Sequence, residues 1–168
     1  GGVQYHFAHA FFRQTLYEEL SAPRRLRFHQ QIARALEQRY AARLAEHAAE
    51  LAEHFAQSTD AEDLRKAVAY AELAATRASA VYAHGEAARL LEQAIEVQEV
   101  LDADDRRKRC ELLLALGSAL LPAGEPQRTF KEVAPSAFGL AEALGDERLA
   151  ARACLLALDA LRRYGAIT

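Results

Sequence analysis

A repeat in the second half of the chain limits the possible folds more than any other sequence feature. When the turn before Glu86 is aligned with Gly124-Glu125, small and apolar residues coincide at an offset of 42 residues. The matched positions are Ala74, Ala75 and Ala78 with Leu116, Gly117 and Leu120, and Ala87, Leu91 and Ala94 with Thr129, Val133 and Ser136. Small residues at such positions let antiparallel helices approach closely, and stacked helix pairs bury faces that a single pair leaves exposed. We therefore expect stacked helix pairs.

Helix-forming residues dominate the chain, with 38 Ala and 24 Leu against 4 Pro and 8 Gly. Capping residues, Pro and Gly divide it into eight predicted helices. The first five predicted ranges are about 9–20, 23–41, 42–57, 60–80 and 86–101. The sixth helix begins at a cap on Asp102 or Asp104 and ends near residue 121, the seventh runs from Glu125 to Gly145, and the eighth covers 146–164. Pro135 is expected to kink or break the seventh helix. Only residues 3–7 alternate as a strand does, so the predicted fold is all-α with one short N-terminal strand.

The polar stretch Ser58-Thr59-Asp60 separates a region of linking helices, 1–57, from the repeats, 58–168, and is expected to be a turn. The chain has no Met and no signal-peptide pattern at its start, so we interpret it as a piece of a longer protein. Residues 146–164 then form the first helix of a third, truncated repeat. Its leucines surround most of the helix, and an exposed apolar face at Leu155, Leu158 and Leu161 favours a homodimer.

The first forty residues carry a recognisable pattern. Residues 5–20 read YHFAHAFFRQTLYEEL and are followed by Arg24-Arg25, His29, Ile32-Ala33 and Ala35-Leu36-Glu37. This pattern resembles the segment that ends the ATPase module of bacterial STAND-class signalling ATPases, which carry cyclase-like or LuxR-type DNA-binding domains. The resemblance implies that residues 1–57 include the remnant of a winged-helix subdomain.

His9 matches the histidine of the family's Met-His-Asp or Phe-His-Asp motif, which contacts the β-phosphate of bound ADP. Ala10 stands where the family has an acidic residue. His9 also lies where a strand is predicted to turn into a helix, so two roles stay open: phosphate sensing in the parent protein and simple capping of the helix.

The segment GEAARLLEQAIE, residues 85–96, resembles the second helix of a tetratricopeptide repeat. The resemblance implies a right-handed superhelix of antiparallel helix pairs, a TPR-like α-solenoid, with a groove for a partner. The positions expected to line the groove are Ala69, Glu72, Thr76, Ser79, Glu111, Leu114 and Ser118. They lack the Lys and Asn of carboxylate-clamp repeats, so a C-terminal acidic peptide is not the expected ligand. The predicted function is non-catalytic: a protein-interaction and regulatory region of a multidomain ATP-dependent signalling or transcriptional regulator.

Composition and missing motifs argue against several classes of function. A formal net charge of −3 argues against general affinity for nucleic acid or anionic membranes, and no apolar stretch is long enough to span a bilayer. There is no G-x-x-x-x-G-K-[ST] loop, so the chain itself is not expected to turn over nucleotide, and it shows no pattern for a cofactor or a metal. Cys110 and Cys154 lie in Leu/Ala-rich runs, which predicts buried thiols and a cytoplasmic setting.

Two other functions are considered. His47, Glu50 and His54 share one face of a predicted helix and offer three ligands to a metal-dependent hydrolase, although neither H-E-x-x-H nor H-x-x-E-H is present. The helix predicted at 23–41 is basic, which favours contact with nucleic acid or with an acidic neighbouring domain. Its arginines are Arg24, Arg25, Arg27, Arg34 and Arg39.

Overall fold

A computed structural model of the chain describes residues 17–165, with side chains to residue 163. The α-helices are α1 (Ala22–Arg39), α2 (Ala48–Ala56), α3 (Ala61–Ala80), α4 (His84–Leu101), α5 (Arg106–Ala123), α6 (Pro126–Arg128), α7 (Ala134–Leu144) and α8 (Glu147–Gly165). A 3-10 helix, Ala41–Glu46, precedes α2, and a π-helical turn, Thr129–Val133, joins α6 to α7. Residues 17–165 contain no strand, which confirms the all-helical class there. The predicted strand at 3–7 and His9 lie outside the described residues.

Local signals set most helix ends. Pro23 lies in the first turn of α1, as predicted. The carboxylate of Asp60 caps α3 by accepting the N–H groups of Glu62 and Asp63 at 2.9 and 3.2 Å. The cap of α5 is Asp105, which accepts the N–H of Lys108 at 2.9 Å, so the predicted caps at Asp102 and Asp104 were wrong.

The third predicted helix, 42–57, is interrupted. Residues Ala41–Glu46 are 3-10 helical, and Arg43 has non-helical angles of φ −140° and ψ 36°. The rings of Tyr40 and His47 stack with centroids 3.5 Å apart. Residues seven apart in an α-helix are separated by about 10 Å along the axis, so this stack requires the chain to leave α-helical geometry.

One core runs through most of the molecule. Buried residues of α1 to α5 form a single apolar cluster that includes Ala33, Phe55, Leu64 and Leu112. It therefore crosses the predicted division at residue 58, where Ser58 is itself buried and donates a hydrogen bond to Asp63 at 2.9 Å. A second cluster joins α5, α7 and α8. Helix α5 contributes to both clusters, because successive helices stack on its two sides.

The π turn changes the register of the repeat. Thr129 and Val133 are buried like their predicted counterparts, but Ser136 is exposed and Ala137 is fully buried in its place. In the π turn, Ala134 donates its N–H to the carbonyl of Thr129, five residues earlier. The turn adds one residue, and the offset after it becomes 43. The break expected at Pro135 is thus a π turn just before the proline, which itself needs no N–H partner.

Candidate partner-binding groove

A groove lies between α3 and α5, above α4. Its central cavity has a volume of about 390 Å³ and an apolar floor. The cavity is lined by Glu72, Ala75, Thr76 and Ser79 of α3, by His84 and Leu91 of α4, and by Ala115, Ser118, Ala119 and Pro122 of α5. The small side chains of Ala75, Ala115 and Ala119 leave this space open.

The structure brings together four of the seven predicted groove residues, Glu72, Thr76, Ser79 and Ser118, in this cavity. Ala69 and Glu72 line a neighbouring cavity of about 320 Å³. Leu114 and Ser118 line a third, of about 410 Å³, between α5 and α8. Glu111 lines none of the three. Six of the seven predicted positions thus line cavities between α3 and α8.

An ion pair crosses this surface between the first two cavities. The Nζ atom of Lys108 lies 2.8 and 2.7 Å from the two carboxylate oxygens of Glu72. The same arrangement occurs one repeat earlier, where Lys66 Nζ lies 2.8 Å from Glu37 of α1. Lys66 and Lys108 are 42 residues apart, so the lysines follow the repeat offset, whereas their partners Glu37 and Glu72 are 35 residues apart and do not.

Glu37 and Tyr70 show how strongly the first bridge is coupled. Burial acts to raise the pKa of Glu37, but hydrogen bonds from Lys66 and Tyr70 outweigh burial and lower it. Burial and the bond to Glu37 raise the pKa of Tyr70, whose hydroxyl donates to Glu37 at 2.6 Å. The carboxylate of Glu37 is therefore ionised and fully engaged between α1 and α3.

The hydroxyl groups of the central cavity are able to accept hydrogen bonds from a ligand. Thr76 donates its hydroxyl proton to the carbonyl of Glu72 at 2.9 Å, and Ser118 donates to the carbonyl of Leu114 at 2.8 Å. Each hydroxyl has one proton, so its lone pairs remain available to a ligand that donates. The Nδ1 atom of His84 is buried and has no hydrogen-bond partner in the described part of the chain. A bound group that donates would satisfy the two hydroxyl oxygens, and Nδ1 of His84 accepts in one tautomer and donates in the other.

The structure does not bring His47, Glu50 and His54 together. His47 stacks on Tyr40 and lies 3.7 Å from Glu50, whereas His54 turns to α1, where the Nδ1 atoms of His54 and His29 are 2.8 Å apart. No group of three or more His, Cys, Asp or Glu side chains among the described residues is arranged to hold a metal ion. These residues instead link α1 to α2.

The basic charge of α1 is partly used within the molecule. Arg34 lies 3.5 Å from the buried carboxylate of Asp63, and the guanidinium of Arg25 lies over the ring of Tyr17. Arg24 and Arg27 are exposed and form no ion pair with residues 17–163. Arg34 and Arg39 are also exposed, the latter with its guanidinium over the ring of Tyr40, so the helix presents basic side chains to solvent along its length.

Helix α8 has the predicted exposed apolar face. The exposed fractions of Leu155, Leu158 and Leu161 are 63%, 61% and 46%. Cys110 is buried, and burial raises the pKa of its thiol. The prediction of burial was wrong for Cys154, because α8 packs by the opposite face, through Ala153, and presents Cys154 to solvent.

No family model, curated protein or solved structure matches the chain. Within residues 17–165, no helix is both long enough and apolar enough to cross a membrane. Function is therefore inferred from the groove and the residues that line it.

Proposed function

We propose that this chain is a non-catalytic helical-repeat module whose groove between α3 and α5 binds a segment of a protein partner. The observation that carries the proposal is the central cavity, where an apolar floor of small residues meets hydroxyl groups whose lone pairs are unused and the unpartnered Nδ1 atom of His84. Stacked helix pairs of this kind form a superhelix with an extended binding surface. A partner that prefers one curvature of the stack shifts the equilibrium between conformations by its differential affinity.

The lining specifies the kind of segment that fits. An apolar side chain of the partner packs on Ala75 and Ala119, while its amide or side-chain N–H groups donate to Thr76 and Ser118. A free carboxylate is disfavoured, because the lysine at the edge of the cavity, Lys108, is already paired with Glu72.

The resemblance of residues 5–37 and 85–96 supports a place for the module in a cytoplasmic, ATP-dependent signalling or transcriptional regulator of the STAND class. In such a parent, partner occupancy is relayed to the nucleotide switch through α1. The coding sequence upstream tests this part separately. A phosphate-binding loop within several hundred residues supports it, and the absence of such a loop refutes it.

Selection from a displayed library of random peptides, each about 12 residues long, tests the groove. Ser118→Trp fills the cavity from an exposed position on α5, and Ala143→Trp adds the same side chain on the exposed surface of α7. We expect enriched peptides with an apolar residue that bind the wild type and Ala143→Trp alike and bind Ser118→Trp at least about tenfold more weakly. Peptides that bind all three proteins equally would refute the groove as the binding site.

A further inference from the structure

A second groove lies on another surface of the stack, between α4 and the helical segment 126–144. It has a volume of about 510 Å³, larger than the cavity between α3 and α5. Its floor is apolar and includes Ile95 of α4, Leu113 of α5 and Val133 of the π turn. The π turn shapes this groove, because Val133 lies in its floor and the added residue turns Ser136 toward its edge.

The rim of the second groove is acidic. Glu92, Glu96 and Glu132 face one guanidinium, that of Arg128. Arg128 lies 2.5 Å from Glu92 and 3.9 Å from Glu132, whose side chain is 72% exposed. Glu96 is exposed and forms no ion pair with residues 17–163. The groove therefore combines an apolar floor with an excess of negative charge, which suits a basic amphipathic helix.

The exposed face of α1 has the complementary character. Phe28 and Ile32 are one turn apart and are 48% and 41% exposed. Arg24 lies one turn before Phe28, and Arg27 lies next to it in the sequence. Neither arginine has an ion-pair partner in the described part of the chain. This face of α1 therefore offers two large apolar side chains flanked by unpaired cations, which complement the apolar floor and acidic rim of the second groove.

We propose that α1 of one copy of this chain docks in the groove between α4 and segment 126–144 of a second copy. Phe28 and Ile32 cover the floor at Ile95, and Arg24 and Arg27 approach the carboxylates of the rim. A copy cannot fill its own groove, because Glu37 ties α1 to α3 through Lys66 and Tyr70, and no residue of α1 or α3 lines the groove.

The assembly is head-to-tail, since the two contacting surfaces are different. Such contacts build rings or open chains, in contrast to a twofold dimer. The cavity between α3 and α5 takes no part in this contact, so copies bound to a partner are able to cluster. The inference concerns a different surface from the proposed function, and either proposal stands if the other fails.

Sedimentation velocity of the whole chain, from about 1 to 200 μM, measures the assembly. Two double variants reverse the charges on one side of the contact. They are Arg24→Glu with Arg27→Glu on α1, and Glu96→Arg with Glu132→Arg on the groove. Each is expected to weaken self-association at least about tenfold, because the contact then opposes like charges. Glu142→Arg with Glu147→Arg changes the net charge by the same amount as the groove variant, at exposed positions outside the groove, and should assemble like the wild type.

Mixing the two double variants gives the decisive result. The unchanged α1 of the groove variant fits the unchanged groove of the α1 variant, so the mixture is expected to form complexes that neither variant forms alone. Circular dichroism of each variant checks that it remains folded. A wild type that stays monomeric to 200 μM, double variants that assemble normally, or a mixture that restores no complex would each overturn the proposal.

Discussion

Replacing Gly117 with alanine tests the close approach of α5 and α8. A Cβ atom at position 117 would lie 2.4 Å from Cδ2 and 3.2 Å from Cγ of Leu156. Leu156 is only 8% exposed and belongs to the core cluster of α5, α7 and α8. The added methyl group therefore forces Leu156 into another rotamer or pushes α8 away from α5.

Two opposing effects set the size of the change. Inserting a methyl group into a packed core costs about 1–3 kcal/mol. Removing a glycine from a helix interior recovers about 1 kcal/mol. Gly117→Ala is thus expected to lower the free energy of unfolding by about 0–2 kcal/mol. Gly139→Ala is the matched control, because a Cβ at this helical position has no neighbour within 4 Å, and it should raise the same quantity by up to about 1 kcal/mol.

Thermal and urea unfolding followed by circular dichroism measure the difference between these two variants. In a domain of this size, about 1 kcal/mol changes Tm by about 2–4 °C, so Gly117→Ala should melt clearly below Gly139→Ala. Leu156→Ala in the Gly117→Ala background should cost less than Leu156→Ala alone, because the clash is absent. Equal melting temperatures for the two glycine variants would refute the packing argument.

Three further predictions concern acid, association and catalysis. Burial and then the charge of His54 lower the pKa of His29, although Glu53 acts in the opposite direction. Protonation of His29 should therefore destabilise the fold: the free energy of unfolding should keep its full value above pH 6.5, the ordinary pKa of histidine, and fall as the pH drops below it. Urea midpoints at several pH values measure this change. His54→Gln should reduce the loss. In the Arg24→Glu, Arg27→Glu background, where the head-to-tail contact is weakened, a homodimer through α8 should dissociate in light scattering when Leu155 and Leu158 are both changed to Glu, and a mass unchanged by the substitutions would refute it. Finally, the chain should show no ATP hydrolysis, and EDTA should leave its melting temperature unchanged; a metal that raises Tm at one equivalent would contradict this.

The helix boundaries that sequence reasoning placed correctly depend on neighbouring residues. Asp60 caps α3 through N–H groups two and three positions away, and Pro23 acts within the first turn of α1. The interruption at Ala41–Glu46 escaped prediction because it depends on the stacking of Tyr40 and His47. The spacing of apolar residues in this segment fits an uninterrupted α-helix equally well.

The candidate groove was predicted in part for a similar reason. The repeat offset places Thr76 and Ser118 on equivalent helices, and the structure brings both to one cavity. The pairs Lys108–Glu72 and His29–His54 join residues 36 and 25 positions apart, and spacing alone does not specify such partners. Only the recurrence of lysine 42 residues after Lys66 marks the first of them.

The attachment of α1 affects how this helix exchanges its amide hydrogens. Among the residues of α1 only Ala33 is fully buried, Leu36 packs on the same core in part, and the other contacts are polar, such as those of Gln30, which donates to Ser58, and Glu37. Detaching it exposes little apolar area, so a low concentration of denaturant hardly changes this opening. The amides of α3 and α4, which share a continuous apolar core, exchange only through an opening that denaturant strongly promotes. We therefore expect the first helix to open as a unit, at lower denaturant concentrations than those that unfold the repeats behind it.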